Sequence, residues 1–235
     1  EYYFSEQNHL VNICVDVSHG DTKHMTKIYN MYSSAKWCRN LMSGTVVTPK
    51  SAISVARAGC THIRVGLGSS SAYSTSIATG CGVPSLSAVF EIWSTFQSYM
   101  EQTRPKIIAD GSVRTTGDII KYLSAGADAV MIGNLLSPCI ESPNWQINKM
   151  KKILNFFSFG LLCKNYMYKK YKNPAYSIQH PTNTVDNFLN QTKASFASAL
   201  NYLGLTNIKD LNPYNVEFIR ISSASYKESR PHLLD

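Results

Sequence analysis

The chain has few charged residues, no long apolar run and no signal-peptide pattern. Charged side chains make up 16% of its 235 residues and hydrophobic ones 44%, which excludes an intrinsically disordered chain of high charge and low hydrophobicity. No apolar run approaches the length of a membrane-spanning helix, and Glu1-Tyr2-Tyr3 does not begin a basic and then apolar leader. We therefore predict a single domain over residues 1–235, with a hydrophobic core and no membrane partner.

Cysteine pairs are also absent. The six cysteines are scattered without a Cys-x-x-Cys motif, which favours reduced thiols over a disulfide framework or a zinc site. The histidines show no metal-ligand spacing with one another or with cysteine. The sequence therefore predicts a cytoplasmic protein without a transition metal.

Positive charge is in excess. The chain has 23 Lys and Arg against 15 Asp and Glu, a net charge of +8, which attracts polyanions including nucleotides. Residues 149–172 interleave lysines with aromatic side chains and have two interpretations. They could stack on single-stranded nucleic acid, or they could form a solvated flap with an aromatic inner face. The second interpretation is favoured, so a nucleic-acid partner is not expected.

Short β-branched runs alternate with helix-like stretches in the first half of the chain. The runs predict five buried strands, at Leu10–Val17, Leu41–Val47, Ile63–Leu67, Lys106–Ala109 and Ala129–Ile132. Helices are predicted between them, at Ser51–Ala58, Leu86–Glu101 and Thr116–Ser124. Thr48-Pro49 starts the first helix and Gly59 ends it. Strands separated by helices indicate right-handed βαβ units and a parallel sheet, hence an α/β fold.

Small or polar residues follow each predicted strand at its carboxyl end, the edge where parallel α/β folds bind ligands. Two of these turns, Asp110-Gly111-Ser112 and Gly133-Asn134, are expected to place backbone N–H groups beside a following helix, which suits a phosphate. The alternative is that their glycines only close strand-to-helix turns.

Several segments resemble one protein family, in the same order along the chain. Residues 63–91 (IRVGLGSSSAYSTSIATGCGVPSLSAVFE) resemble the active-site strand and loop of the IMP dehydrogenase and GMP reductase family. Residues 106–142 (KIIADGSVRTTGDIIKYLSAGADAVMIGNLLSPCIES) resemble its last two strand–helix units, and the middle of the chain is most similar to GMP reductase. Two earlier strands, the closing helix and the tail are matched at residues 13–20, 43–48, 196–203 and 218–232.

The resemblance implies a (β/α)8 TIM barrel of which this chain carries only the later strands. It also implies a flap at about residues 140–182, followed by a closing helix and tail at 183–235. Five strands cannot close an eight-stranded barrel. Either the first strands lie on another chain or were removed, or this is an open remnant that a partner covers. Because barrels of this family pack side by side, a homo- or hetero-oligomer is expected.

The chemistry of the family requires a cysteine, whose thiolate attacks the purine while a hydride passes to or from NAD(P). Tyr73 stands at that position, and a phenol is a poorer nucleophile than a thiol. Thr75 remains where the family has a helper threonine, and Thr45 stands where the family has an asparagine. Cys81 is interpreted as a small buried residue rather than as a substitute nucleophile. Lys164 or Asn165 occupies the position of the reductase's flap glutamate, so the general base is missing too.

The positions that bind the nucleotide in this family match its pattern more closely than the catalytic positions do. Asp110 matches the aspartate that takes the ribose hydroxyls, with a turn-forming or helix-capping role as the alternative. The resemblance implies that the ligand is a purine nucleoside monophosphate. Its phosphate and the adjoining sugar would be held at Ser71, Gly111, Ser112, Gly133 and Asn134.

Three further positions concern the cofactor and a cation. Asp16 and Arg64 match residues beside the base and the nicotinamide of NAD(P), but for Arg64 a buried ion pair with Asp16 is an equal alternative. Gly66 and Gly68 match the loop that holds potassium in the dehydrogenase. Ser70 replaces a glycine of that loop, which weakens the potassium assignment.

Two functional hypotheses follow. The first is a purine-nucleotide-binding relative with a degenerate catalytic centre, acting as a pseudo-enzyme or a subunit. The second is an NAD(P)-dependent oxidoreductase for GMP or IMP, with an altered mechanism or completed by a partner chain. Hydride transfer separates them, because the pseudo-enzyme should only bind the nucleotide.

Overall fold

A computed structural model describes residues 10–67, 79–100, 103–142 and 183–228. Its strands form one curled, parallel, five-stranded sheet in which neighbours in sequence are also neighbours in space. The strands are β1 (Val11–Cys14), β2 (Cys38–Val46), β3 (His62–Val65), β4 (Lys106–Asp110) and β5 (Ala129–Met131). The predicted α/β class, with the later strands of a (β/α)8 barrel, is confirmed.

Helices alternate with the strands and continue after the sheet. They are α1 (Lys23–Ser33), α2 (Pro49–Arg57), α3 (Ser85–Met100), α4 (Thr116–Ser124), α5 (Val185–Leu203) and α6 (Ser223–Glu228). The start of α2 is as predicted, because Pro49 is its first residue and Thr48 Oγ1 accepts a hydrogen bond from Ser51 N at 3.2 Å. In the described part of the chain, no helix is both long and apolar enough to cross a membrane.

Helix α1 is absent from the sequence prediction. It buries Met25 and Tyr29, and Ile28 and Tyr32 are partly buried against the same core, so its apolar residues do follow a helical spacing that sequence reasoning missed. The capping signal is present too, since Thr22 Oγ1 accepts a hydrogen bond from Met25 N at 3.2 Å.

The core lies between the outer face of the sheet and the helices. Ile63 and Val65 of β3 and Ile107 and Ala109 of β4 are fully buried, in one cluster with Phe96 of α3. Because side chains alternate along a strand, the residues between them face the inner, concave side of the curled sheet. This alternation places Arg64 and Asp110 together on the concave side.

The concave side is open at both edges of the described sheet. Asn12, Cys14 and Asp16, on or just after β1, are exposed, and so are Ala129 and Met131 of β5. The helix-facing side chains of the same strands, such as Ile13 and Val130, are half-buried. Among the described residues, the concave side is therefore exposed along its two edge strands, while Arg64 and Ile108 on its central strands are each only 8% exposed.

Candidate functional site

The carboxyl ends of the strands meet at one edge of the parallel sheet, which we call the carboxyl edge. Asp110, the last residue of β4, pairs with Met131, the last residue of β5, and Arg64 pairs with Ile108. The turns that follow β4 and β5 therefore leave the sheet side by side. Arg64, Asp110 and both turns, which were predicted to contribute to one site, lie at this edge.

Arg64 links two carboxylates there. Its Nη1 donates to Asp16 Oδ1 at 2.7 Å, and its Nη2 and Nε donate to Asp110 Oδ2 at 2.7 and 3.1 Å. Nη1 also donates a weak hydrogen bond to Cys14 Sγ, at 3.9 Å. The ion pair with Asp16 that was one of two alternatives for Arg64 is present. It extends to Asp110, which sequence reasoning did not foresee.

The three side chains differ in exposure. The Arg64 side chain is 10% exposed, that of Asp110 is 22% exposed and that of Asp16 is 79% exposed. Burial alone lowers the pKa of Arg64, but hydrogen bonds to Asp16 and Asp110 outweigh it and raise the pKa above its ordinary value. The guanidinium is therefore a fixed cation between two acceptors that face the open concave side.

Thr45 of β2 is hydrogen-bonded to the turn that follows β1. Its Oγ1 donates a hydrogen bond to Ser18 O at 2.7 Å, and Gly20 N donates one to Thr45 O at 2.8 Å. Thr45 stands where the resemblance implies asparagine. Because its hydroxyl is bonded to the backbone of the β1 turn, Thr45 is a structural link between the two strands, a role that sequence reasoning missed.

Tyr29 of α1 supports the same junction from the helix side. Gly44 N donates a hydrogen bond to Tyr29 Oη at 3.2 Å, and burial raises the pKa of Tyr29, which keeps the phenol protonated at neutral pH. A Cβ at Gly44 would lie 2.4 Å from Val17 Cγ2. The close approach of the β1 turn to β2 therefore requires glycine at this position.

Gly66, after β3, lies directly against β4. A Cβ at Gly66 would sit 1.8 Å from Asp110 O, so the backbone of β4 leaves no space for a side chain. This contact explains the glycine without a cation. Gly68 lies outside the described residues, and the potassium loop stays a prediction.

The turn after β4 contains a serine in the left-handed region. Ser112 has φ 58° and is the one residue other than glycine with positive φ in the described parts of the chain. The preceding Gly111 has φ 96°, and Tyr122 Oη of α4 donates a hydrogen bond to Gly111 O at 3.1 Å. Burial raises the pKa of Tyr122, so this donor keeps its proton. The turn is thus held in a conformation that costs Ser112 about 1 kcal/mol.

Helix α4 closes its own amino end. Asp118 Oδ2 accepts hydrogen bonds from Arg114 N at 3.0 Å and Thr115 N at 2.9 Å, and Thr115 Oγ1 accepts one from Asp118 N at 3.2 Å. The backbone donors just before the helix are therefore occupied. These two donors would not be available to a phosphate at this turn.

The turn after β5 differs from the expectation. Gly133 and Asn134 are exposed, as a ligand-binding turn requires, but Asn134 begins a three-residue 3-10 turn, Asn134–Leu136, instead of an α-helix. Ser137 Oγ donates a hydrogen bond to Asn134 O at 2.7 Å and closes this turn. The expected helix dipole at Gly133-Asn134 is therefore absent, because a single 3-10 turn aligns too few peptide dipoles.

Several predicted residues fall outside the described residues. These are Gly68, Ser71, Tyr73, Thr75 and most of the flap at 140–182. Cys81 is described and exposed, so its interpretation as a buried residue is wrong. Among the described residues, no three His, Cys, Asp or Glu side chains group closely enough to hold a metal ion.

Known proteins match nearly the whole chain. The sequence profile of the IMP dehydrogenase / GMP reductase domain matches residues 6–232. The inosine-5'-monophosphate dehydrogenase of Borreliella burgdorferi is 29% identical over 239 residues, which cover 95% of this chain and 58% of that protein. The corresponding protein of Thermoplasma acidophilum is 31% identical over 236 residues, covering 94% of this chain and 46% of that protein. The chain thus spans about half the length of these relatives.

A solved structure has the same fold. The GMP reductase of Trypanosoma brucei superposes with a TM-score of 0.71 at 22% identity, over 93% of this chain and 44% of that one. The superposition agrees with a sheet that carries part of a barrel.

Proposed function

Because the chain belongs to the IMP dehydrogenase / GMP reductase family, we propose that its carboxyl edge binds a purine nucleoside monophosphate. We propose further that the chain has lost the covalent oxidoreductase reaction and acts as a pseudo-enzyme or as a subunit of an oligomer. The observation that carries the binding proposal is the placement of Asp110. Arg64 holds its carboxylate at the carboxyl edge, and the Asp110 side chain remains 22% exposed.

Each part of a nucleotide has matching chemistry at this edge. A carboxylate such as Asp110 is a strong acceptor for ribose hydroxyls. The turns at 111–112 and 133–134 start side by side, and successive backbone N–H groups in a turn can form a concavity for an anion. In this proposal Ser71 completes the phosphate cradle.

Three departures from the family pattern support the loss of catalysis. Tyr73 replaces the nucleophilic cysteine, and the flap carries Lys164 and Asn165 where the reductase has its glutamate. Thr45 replaces an asparagine, and its hydroxyl is bonded to Ser18 O. The nucleophile, the base and the residue at position 45 thus all differ from the family pattern, and catalytic groups that act as a unit lose activity together.

An NAD(P)-dependent oxidoreductase is the second candidate, favoured by the cluster of Asp16, Arg64 and Cys14. When bound, a nicotinamide dinucleotide supplies or accepts a hydride. The residues present fit its carboxamide, since the 79% exposed Asp16 side chain offers an acceptor for the amide N–H groups. Arg64 contributes by orienting Asp16.

Calorimetry on the full-length protein tests the binding proposal. GMP and IMP should bind more tightly than guanosine and inosine, and equal affinity for IMP and inosine would remove the phosphate cradle. Asp110→Asn, which keeps the side-chain size, should weaken binding of the nucleotide by about tenfold. Asp186→Asn, on the exposed first turn of α5, is the matched control and should leave the affinity unchanged.

Hydride transfer and a restored nucleophile test the loss of catalysis. Spectrophotometric assays with IMP plus NAD and with GMP plus NADPH should show no turnover; turnover that disappears in Tyr73→Phe would contradict the pseudo-enzyme proposal. Tyr73→Cys should displace chloride from a 6-chloropurine ribotide and give a covalent adduct in the intact mass. Because the flap base is still missing, that variant should not turn over, and multiple turnover would show that the flap interpretation is wrong.

A further inference from the structure

Arg64 approaches Asp110 from one side only. Both of its hydrogen bonds to Asp110, from Nε at 3.1 Å and from Nη2 at 2.7 Å, end on Oδ2. Among the described residues, no hydrogen bond to Asp110 Oδ1 is found. One carboxylate oxygen is therefore saturated by the guanidinium and the other is left with both of its lone pairs.

Resting on the nucleotide-binding function proposed above, we infer that Arg64 is a positioning residue for ribose recognition. It fixes the Asp110 carboxylate so that Oδ1 can accept hydrogen bonds from the two vicinal hydroxyls of the sugar. Arg64 acts through Asp110 and does not itself contact the ligand. The expected ligand is accordingly a ribonucleotide, discriminated from its 2′-deoxy analogue.

The contacts of Asp110 restrict the rotation of its carboxylate more than in an aspartate without such partners. The Arg64 side chain is 10% exposed and is itself held by Asp16 through Nη1 at 2.7 Å. The backbone of Asp110 is also fixed, because its carbonyl oxygen packs against Gly66. A carboxylate fixed at both its backbone and its Oδ2 loses little rotational freedom when a ligand binds, which favours affinity.

Lysine could not replace Arg64 in this role. The planar guanidinium presents Nε and Nη2 to Asp110 while Nη1 reaches Asp16, whereas an ammonium is a compact point charge on a flexible stem. Arg64→Lys keeps the positive charge between the carboxylates but loses the planar set of donors that contacts both of them. It therefore separates the effect of charge from that of orientation.

The test is the ratio of dissociation constants for 2′-deoxyGMP and GMP, measured by calorimetry on the full-length protein. We expect wild type to prefer GMP by about tenfold, Arg64→Gln and Asp110→Asn to bring the ratio close to one, and Arg64→Lys to give an intermediate ratio. Arg104→Gln is the matched control, since Arg104 forms a similar pair with Asp128 at 2.6 Å, at the opposite edge of the sheet. It should lower stability and leave the ratio unchanged.

The outcomes separate this inference from the function on which it rests. If wild type does not bind GMP, the nucleotide-binding function fails and the inference falls with it. If wild type binds GMP more tightly than guanosine but does not discriminate 2′-deoxyGMP, the phosphate site stands and the ribose role is overturned. A wild-type ratio in folded Arg64→Gln overturns the inference alone. If Arg64→Gln does not fold, an unchanged ratio in Arg64→Lys overturns it instead.

Discussion

Asp128, at the amino edge of the sheet just before β5, is predicted to be a major source of stability. Its carboxylate accepts hydrogen bonds from Arg104 Nη1 at 2.6 Å, Arg104 Nη2 at 3.1 Å, Lys106 Nζ at 3.1 Å and Ile107 N at 2.9 Å. Its side chain is 18% exposed, and that of Arg104 is 19% exposed. Asp128→Asn keeps the shape of the side chain while removing its charge and one acceptor oxygen.

The size of the effect follows from this partial burial. Breaking a fully buried ion pair costs about 3–5 kcal/mol, and an exposed pair contributes about 0–1 kcal/mol. With about a fifth of each side chain exposed, we expect Asp128→Asn to lower the free energy of unfolding by about 2–3 kcal/mol. For a domain of this size that corresponds to a fall in Tm of about 4–12 °C.

The dependence on pH gives a second measurement. Burial alone raises the pKa of Asp128, but hydrogen bonds from Arg104, Ile107 N and Lys106 outweigh it and lower the pKa below its ordinary value. A lowered folded pKa stabilises the protein above the unfolded pKa of about 3.9, and this contribution is lost as pH falls through the folded value. The difference in stability between wild type and Asp128→Asn should therefore be constant near neutral pH and shrink below about pH 4.

Urea unfolding at several pH values measures both quantities, with Asp186→Asn as the control. Asp186 lies in the exposed first turn of α5, where loss of its charge should cost no more than about 0.5 kcal/mol. The reasoning is refuted if Asp128→Asn is as stable as Asp186→Asn. It is also refuted if the difference between wild type and Asp128→Asn is the same at pH 7 and in acid.

Three other predictions concern the carboxyl edge and the assembly. Gly66→Ala should lower both the melting temperature and the affinity for GMP, because the new Cβ would sit 1.8 Å from Asp110 O. The control is Gly117→Ala in α4, whose Cβ would lie 3.5 Å from its nearest neighbour and which should leave the melting temperature nearly unchanged. Ser112→Gly should be more stable than Ser112→Ala by about 1 kcal/mol in chemical unfolding, because φ 58° strains alanine but not glycine; equal stabilities would contradict the strain. Residues 1–235 alone should associate in light scattering, since β1 and β5 are the open edges of the sheet formed by the described residues; a compact, cooperative monomer would count against this.

The strands and helix caps were predictable because their signals are local. β4 was predicted at Lys106–Ala109 and extends one residue further, to Asp110, while β1 was predicted at Leu10–Val17 and is limited to Val11–Cys14. The apolar run continues after Cys14, but the chain there bends toward β2, where Val17 O accepts a hydrogen bond from Thr45 N at 3.2 Å. A tertiary contact between two strand ends thus shortened the strand, and periodicity does not contain that contact.

The site was predictable residue by residue but not as a set of contacts. Asp16, Arg64 and Asp110 were each identified as candidates, and the structure brings all three together. The choice between an ion pair and a ligand contact for Arg64 could not be made from sequence, because it depends on the register of β3 against β4 and on the position of the β1 turn. The same limitation applies to Thr45, whose hydroxyl partner, Ser18 O, lies on a different strand connection.

The two edges of this sheet each carry a guanidinium–carboxylate cluster, and the two clusters have net charges of opposite sign. At the amino edge Arg104 and Lys106 surround one carboxylate, whereas at the carboxyl edge Arg64 lies between two carboxylates. A cluster with excess negative charge repels a phosphate and attracts hydroxyl donors. In the proposed site the ribose would therefore face Asp110, and the phosphate would be displaced toward the uncharged backbone donors of the turns after β4 and β5. In the proposed site, this difference in charge would orient the nucleotide along the carboxyl edge, with its sugar toward Asp110 and its phosphate toward the two turns.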